Sequence, residues 1–194
     1  MFKRIQKLRN YLFFSSEDIS EIFGISLQSA KVLCTRYTKK GIFIRIKKNF
    51  YVLEQNWNIY SDEEFLRIAN FLQVPSYISL LTALSYYQVT TQFPRRYYES
   101  ICIKRSVRYN KEGVVFNFYK FKESFYFGFE KKEGIFIATK EKALVDAIYL
   151  YSFGKYKIDF SSLNMDAFDK KELKKILSVF PEKTQNITER LCRI

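Results

Sequence analysis

Apolar positions alternate between two periods along the chain. Ile5, Leu8 and Leu12 recur at helical spacing and predict a first helix over residues 2–14. Ser16 is placed to cap a second helix, with Glu17 and Asp18 in its first turn and Ile19, Ile22 and Phe23 inward. Gly24 ends it, because glycine accepts the left-handed backbone of a helix C-terminus. Ser26 caps a third helix, from about Leu27 to Lys40, which stops at Gly41 and puts Ala30, Leu33 or Cys34, and Tyr37 on one side. Two helices joined by a short glycine-containing turn form a helix-turn-helix. Ile42 to Ile46 and Phe50 to Leu53 then read as a β-hairpin around Lys47-Lys48-Asn49, with Asn49 suited to positive φ.

The second half switches period repeatedly. The polar run Glu54-Gln55-Asn56-Trp57-Asn58 marks a boundary, dividing the chain into 1–55 and 56–194. Ser61 caps a helix over 62–72, Pro75 breaks it, and a further helix is expected from Ser79 to Tyr87 with Ser76 or Ser79 as cap. From Tyr98 the period is two. Strands are expected around Ile101 and Ile103, over 115–121, over 125–129 and over 135–138, with turns at 110–113 and 131–134. Thr139 caps a helix over 140–151 and Asp169 another; Pro181 precedes a last one over 183–192. The expected fold class is α+β: an N-terminal winged helix-turn-helix, then a mixed α+β C-terminal domain with a mainly antiparallel sheet.

Charge gives this pattern a direction. The formal net charge is +13, from 33 Lys/Arg and 20 Asp/Glu, which favours polyanionic partners. Residues 1–55 carry +7 and residues 95–132 carry +6, so the rest of the chain balances. The third helix leaves Gln28, Ser29, Lys31, Val32, Thr35, Arg36 and Lys39 outward, none of them acidic. In a recognition helix, Gln28 and Lys31 would meet base edges in the major groove, while Arg36 and Lys39 would hold phosphates. Arg45, Lys47 and Lys48 would extend the contact through the wing. Arg95, Arg96, Lys104, Arg105 and Arg108, interleaved with Tyr97, Tyr98 and Tyr109, are a possible second polyanion contact. Their alternative role is to discourage edge-to-edge sheet pairing, with the tyrosines in the core.

Several chemistries are excluded. Without histidine there is no Ser-His-Asp or Cys-His catalysis, no His-ligated zinc and no imidazole switch. Cys34, Cys102 and Cys192 are scattered and fit a reducing cytoplasm better than a disulfide framework. Neither a signal peptide nor a membrane span is expected. Glu141 and Asp146, five residues apart, face different sides of a helix and are expected to be structural, Asp146 bonding a neighbouring strand or arginine. No enzyme activity, cofactor or metal is expected.

Three blocks resemble a known family. The first is Ser26-x-x-Ser29-Ala30 with Tyr37, Lys40-Gly41-Ile42, Arg45-Ile46 and Phe50-Tyr51. The second is Pro75-Ser-Tyr77-Ile-Ser79-Leu-Leu-Thr-Ala83-Leu84-Ser-Tyr86. The third is Ala138-Thr-Lys-Glu141-Lys142-Ala143-Leu144-Val-Asp146. In order, and covering about residues 14–150, they resemble the AbiEi family, the bacterial antitoxins of type IV toxin–antitoxin systems associated with abortive phage infection. The chain departs from the family's frequent glycine at Asn49, proline near Thr139 and leucine near Val145. The resemblance implies an autorepressor whose winged helix binds inverted repeats in its own promoter; two half-sites about one helical turn apart would indicate two copies on one operator. It implies a C-terminal domain that opposes a nucleotidyltransferase-like toxin without a stable complex. The alternative is an interaction module that masks the toxin or its nucleic-acid substrate by direct binding.

Overall fold

The computed structural model describes residues 2–194. The chain divides into two compact units: residues up to Ile68 with Tyr109–Val114, and Ala69–Arg108 with Val115–Ile194.

The first unit begins with α1 (Phe2–Lys7) and a 3-10 turn at Leu8–Asn10, so the expected helix over 2–14 stops early. The cause is Phe14. Its N–H and carbonyl bond the carbonyl and N–H of Tyr51 at 2.8 and 2.9 Å, which requires extended backbone before it. In exchange Phe14 is fully buried and sits edge-on to Phe43 at 4.8 Å. Helix α2 (Ser16–Phe23) is capped by Ser15, one residue before the expected cap. The Ser15 hydroxyl accepts from the Asp18 N–H, and the Asp18 carboxylate accepts from the Ser15 N–H, a reciprocal capping box. Gly24 ends α2 at φ +61.

Ser26 accepts from the Ser29 N–H and starts α3 (Leu27–Lys39). Strands β1 (Phe43–Lys47) and β2 (Phe50–Leu53) pair antiparallel, with a bulge between Arg45 and Lys47. Asn49 at the tip has φ +57. The core of this unit joins Leu8, Phe14, Ile19, Phe23, Ala30, Leu33, Cys34, Tyr37, Phe43, Tyr51 and Leu53. Helix α3 therefore buries the side that the 3.6-residue period assigned to the interior. A short α4 (Glu54–Trp57) follows, then α5 (Asp62–Leu72), whose start is boxed by Ser61 and Glu64.

The strands that follow are β3 (Ser76–Ile78), β4 (Tyr97–Cys102), β5 (Val107–Lys111), β6 (Val114–Lys120), β7 (Phe129–Lys132) and β8 (Ile135–Ala138), all in the second unit except for Tyr109–Val114, which covers most of β5 and the first residue of β6. They form one six-stranded sheet in the order β5-β6-β4-β3-β8-β7. The sheet is mixed: β3–β4 and β7–β8 are antiparallel, β4–β6 and β3–β8 parallel. Helices α6 (Leu80–Tyr86), α7 (Lys140–Ser152), α8 (Lys170–Leu177) and α9 (Glu182–Cys192) complete a mixed α+β fold.

Two local expectations are corrected here. Residues 125–129 are not one strand: a 3-10 turn at Glu123–Phe125 comes first, and β7 begins only at Phe129. The turn aims Phe125 inward, where its ring stacks on Phe180 at 4.6 Å and meets Tyr149 at 5.1 Å. Residues 76–78 form a strand ahead of the expected helix, α6 runs from Leu80 within the expected 79–87 span, and neither Ser76 nor Ser79 caps it with its side chain. Ser79 flanks α6 without capping it, because its hydroxyl is turned to Asp146.

Helix α7 is the buried axis of this unit, with every residue from Glu141 to Ile148 buried. Lys142 and Asp146 are wholly enclosed and ion-paired one helical turn apart. Asp146 also accepts from the Ser79 hydroxyl (2.7 Å) and the Tyr77 hydroxyl (3.0 Å), and Lys142 donates to Tyr77 (2.9 Å). The rings of Tyr77, Phe121, Phe127 and Phe180 surround the ammonium, with centroids 5.2 to 5.6 Å away. Gly128, at φ +71, leaves the room: a methyl group there would come within 3.0 Å of the Lys142 stem. Among the described residues, no helix is long and apolar enough to cross a membrane.

Candidate nucleic-acid interface

Helix α3 is anchored on its buried side by Ala30, Leu33, Cys34 and Tyr37, and this anchoring decides which side chains remain outside. Gln28, Ser29, Lys31, Val32, Thr35, Arg36 and Lys39 are all exposed. Val32 is 60 % exposed, a large apolar side chain left in solvent at the centre of that face. Lys31, Val32, Thr35, Arg36 and Lys39 border one shallow open depression, and Ile25, Gln28, Ser29, Val32, Leu33 and Arg36 border a second. The face thus combines three cations, an amide, hydroxyls and an apolar methyl pair, with no carboxylate on the helix itself.

The hydroxyls are partly committed. Thr35 donates to the Lys31 carbonyl at 3.0 Å, and Ser29 Oγ accepts from Ser26. The Arg36 guanidinium lies 5.7 Å from the centre of the Tyr37 ring. Gln28 and Lys31 lie in the first turns of α3.

On the hairpin, Arg45 and Lys48 are exposed and Lys47 is half-buried. The Lys47 ammonium lies 5.5 Å from the centre of the Phe50 ring, so its stem follows the hairpin. The tip is held in place by Asn49. Its carbonyl oxygen accepts from both the N–H (2.8 Å) and the hydroxyl (2.6 Å) of Ser16, and its amide donates to the Glu17 carboxylate at 2.6 Å. These bonds tie the hairpin to the start of α2, a role that a glycine could not fill. The Asn49 hydrogen bond, the largest cause, also holds the exposed Glu17 carboxyl below its ordinary range.

The second basic group is exposed at Arg95, Arg96, Lys104, Arg105 and Arg108, but the fold does not gather it into one patch. Arg95 and Arg96 precede β4, and Lys104 and Arg105 follow it; the strand between spans about 17 Å. Arg108 packs over Tyr97 at 5.6 Å. Tyr98 is a core residue, 3 % exposed and stacked on Phe116, whereas Tyr97 and Tyr109 are half-exposed.

No family model matches the chain, and no curated protein matches it.

The expected bond of Asp146 to a neighbouring strand is present, through Tyr77 of β3, whereas its ion pair with Lys142 and the setting of Glu99 were not anticipated from the residues. The Lys142–Asp146 pair has a sequence signal: two opposite charges four apart inside the apolar run Ala143-Leu144-Val145-Ala147-Ile148. Attention to Glu141 and Asp146, five apart, passes it by. Glu141 instead accepts from the Asp169 N–H at the start of α8. The other site is Glu99, 2 % exposed, whose carboxylate accepts from Tyr156 at 2.7 Å, 57 residues away. Burial pushes that carboxyl up to about 7. All three cysteines are free and buried, and burial pushes the Cys34 thiol up to about 11, which makes it a poor nucleophile. Among the described residues, no three Cys, Asp or Glu side chains converge as metal ligands.

Proposed function

We propose that the chain is a sequence-specific DNA-binding repressor built on an N-terminal winged helix-turn-helix, and that it serves as the antitoxin of an AbiE-like type IV toxin–antitoxin system. Helix α3 is the recognition helix and the β1–β2 hairpin is the wing. The observation that carries this reading is the outer face of α3: seven exposed side chains, Gln28 to Lys39, with no carboxylate among them. A solvated helix face ordinarily mixes both signs of charge. A face with only cations, an amide, hydroxyls and an apolar contact matches the groups that pair with phosphates, base edges and thymine methyls. The locked wing supports it, since Asn49 holds the basic tip in one orientation relative to α2. The antitoxin role rests on the resemblance of the three sequence blocks to AbiEi proteins, and the proposed opponent is a nucleotidyltransferase-like toxin encoded alongside.

The test is binding to the intergenic DNA upstream of the gene, measured by fluorescence anisotropy across a salt series, beside a scrambled duplex. Gln28→Ala and Lys31→Ala are expected to lose roughly 5- to 150-fold on the cognate duplex only, the cost of one base contact. Lys48→Ala, and to a smaller extent Lys47→Ala, weakens both duplexes and lowers the salt slope by about 1. Equal losses on both duplexes for all four variants would refute the division between reading and holding. Co-expression with the neighbouring gene's product tests the antitoxin role: the four variants are expected to protect growth, and failure of the wild-type chain to protect removes that role.

A further inference from the structure

The second unit contains an open cavity of about 490 Å³ that no part of the proposed DNA contact uses. That volume lies within the roughly 300–1,000 Å³ range of small-molecule sites. Its walls are aromatic: Tyr97, Tyr119 and Tyr156 line it, and the last two meet edge to face at 5.9 Å. Buried Glu99 also lines it. The exposed Lys155 and Lys157 stand at its border. Chain segments far apart in sequence therefore bring together a carboxyl group, flat ring surfaces and two ammonium groups.

Each component restricts the ligand. Tyrosine rings favour a planar, stackable group. A carboxylate accepts hydrogen bonds and donates none, so the planar group must present N–H donors. The two lysines oppose a cationic ligand and favour an anionic tail. Among nucleobases, guanine alone offers two adjacent N–H donors, N1–H and the exocyclic amine, to one carboxylate. Adenine and cytosine place an acceptor beside their amine. We propose that this cavity binds a guanine nucleotide, its N–H edge on the Glu99 carboxylate, its ring on the tyrosines and its phosphate at Lys155 and Lys157. Tyr156 acts as a positioning residue, since its hydroxyl holds Glu99 at 2.7 Å.

The pH response follows from the groups facing Glu99. These are the Tyr156 hydroxyl, the Leu81 backbone N–H, and Tyr97, Tyr119, Lys155 and Lys157 around the cavity. With the carboxyl titrating at about 7, its ionised fraction falls about tenfold from pH 8 to pH 6. Guanine binding must fall with it, and the phosphate's own titration cancels when GMP is compared with CMP.

The experiment is isothermal titration calorimetry of the full chain with GMP, AMP and CMP at pH 6, 7 and 8. GMP is expected to bind at least tenfold more tightly than AMP or CMP at pH 8, and the GMP-to-CMP ratio to fall about tenfold by pH 6. Glu99→Gln should lose at least tenfold on GMP, and Tyr156→Phe should move the pH midpoint of the ratio upward. A second titration uses a short oligouridylate with one internal guanosine. Tighter binding of GMP supports a free nucleotide as ligand, and tighter binding of the strand supports the same guanine site filled from RNA. No binding of GMP or the strand, equal affinity for the three nucleotides, or a pH-independent ratio overturns the proposal.

Discussion

Replacing Lys142 by methionine tests the enclosed ion pair at the axis of the second unit. Both side chains are fully buried. Burial pulls the lysine down and pushes the aspartate up, so each needs the other to stay charged. In Lys142→Met the aspartate keeps the Ser79 and Tyr77 hydroxyls at 2.7 and 3.0 Å but loses its counter-charge. Removing one partner of a buried pair costs about 3–5 kcal/mol. Methionine among the four rings recovers up to about 1 kcal/mol through sulfur–aromatic contact. For a chain of this size each kcal/mol moves Tm by about 2–4 °C, so a fall on the order of 10 °C is expected. The assay is urea and thermal denaturation followed by circular dichroism, for Lys142→Met, Asp146→Leu and the double variant. The double variant should be more stable than the sum of the single losses implies, by at least about 2 kcal/mol, because it buries no lone charge. A loss under about 1 kcal/mol in Lys142→Met, or additive losses in the double variant, would refute the reasoning.

Glu99 and Asn49 give two further expectations. The Glu99 carboxyl, pushed up to about 7 from 4.5 by burial, holds its proton more tightly in the folded chain than in the unfolded one. Its contribution is complete below about pH 4.5 and is lost as pH rises through 7, about 3 kcal/mol in all. Glu99→Gln should therefore match the wild type near pH 4.5 and exceed its stability at pH 8, and parallel stability–pH curves would contradict this. Asn49→Ala loses three hydrogen bonds and leaves alanine at φ +57. It should cost about 1–3 kcal/mol. Asn49→Gly relieves the backbone strain alone and should recover about 1 kcal/mol of that. Equal melting temperatures for the two variants would show that the left-handed backbone carries no cost here.

Local rules account for much that was legible in the residues. Gly24, Ser26, Gly41, Asn49, Ser61, Thr139 and Asp169 signal through backbone conformation and capping, which depend on near neighbours, and the helices they bound lie where periodicity puts them. The exposed side of α3 was likewise legible, because helical period and burial share one geometry. Where local preference met a distant partner, the partner prevailed. Phe14 left helical geometry to bond Tyr51, Phe125 turned inward to stack on Phe180, and Ser79 gave its hydroxyl to Asp146 instead of capping α6. The parallel pairings in the sheet and the meeting of Glu99 with Tyr156 were tertiary decisions. They join residues tens of positions apart, and hydrophobic patterning specifies which face of an element is buried but not which distant side chain it will meet.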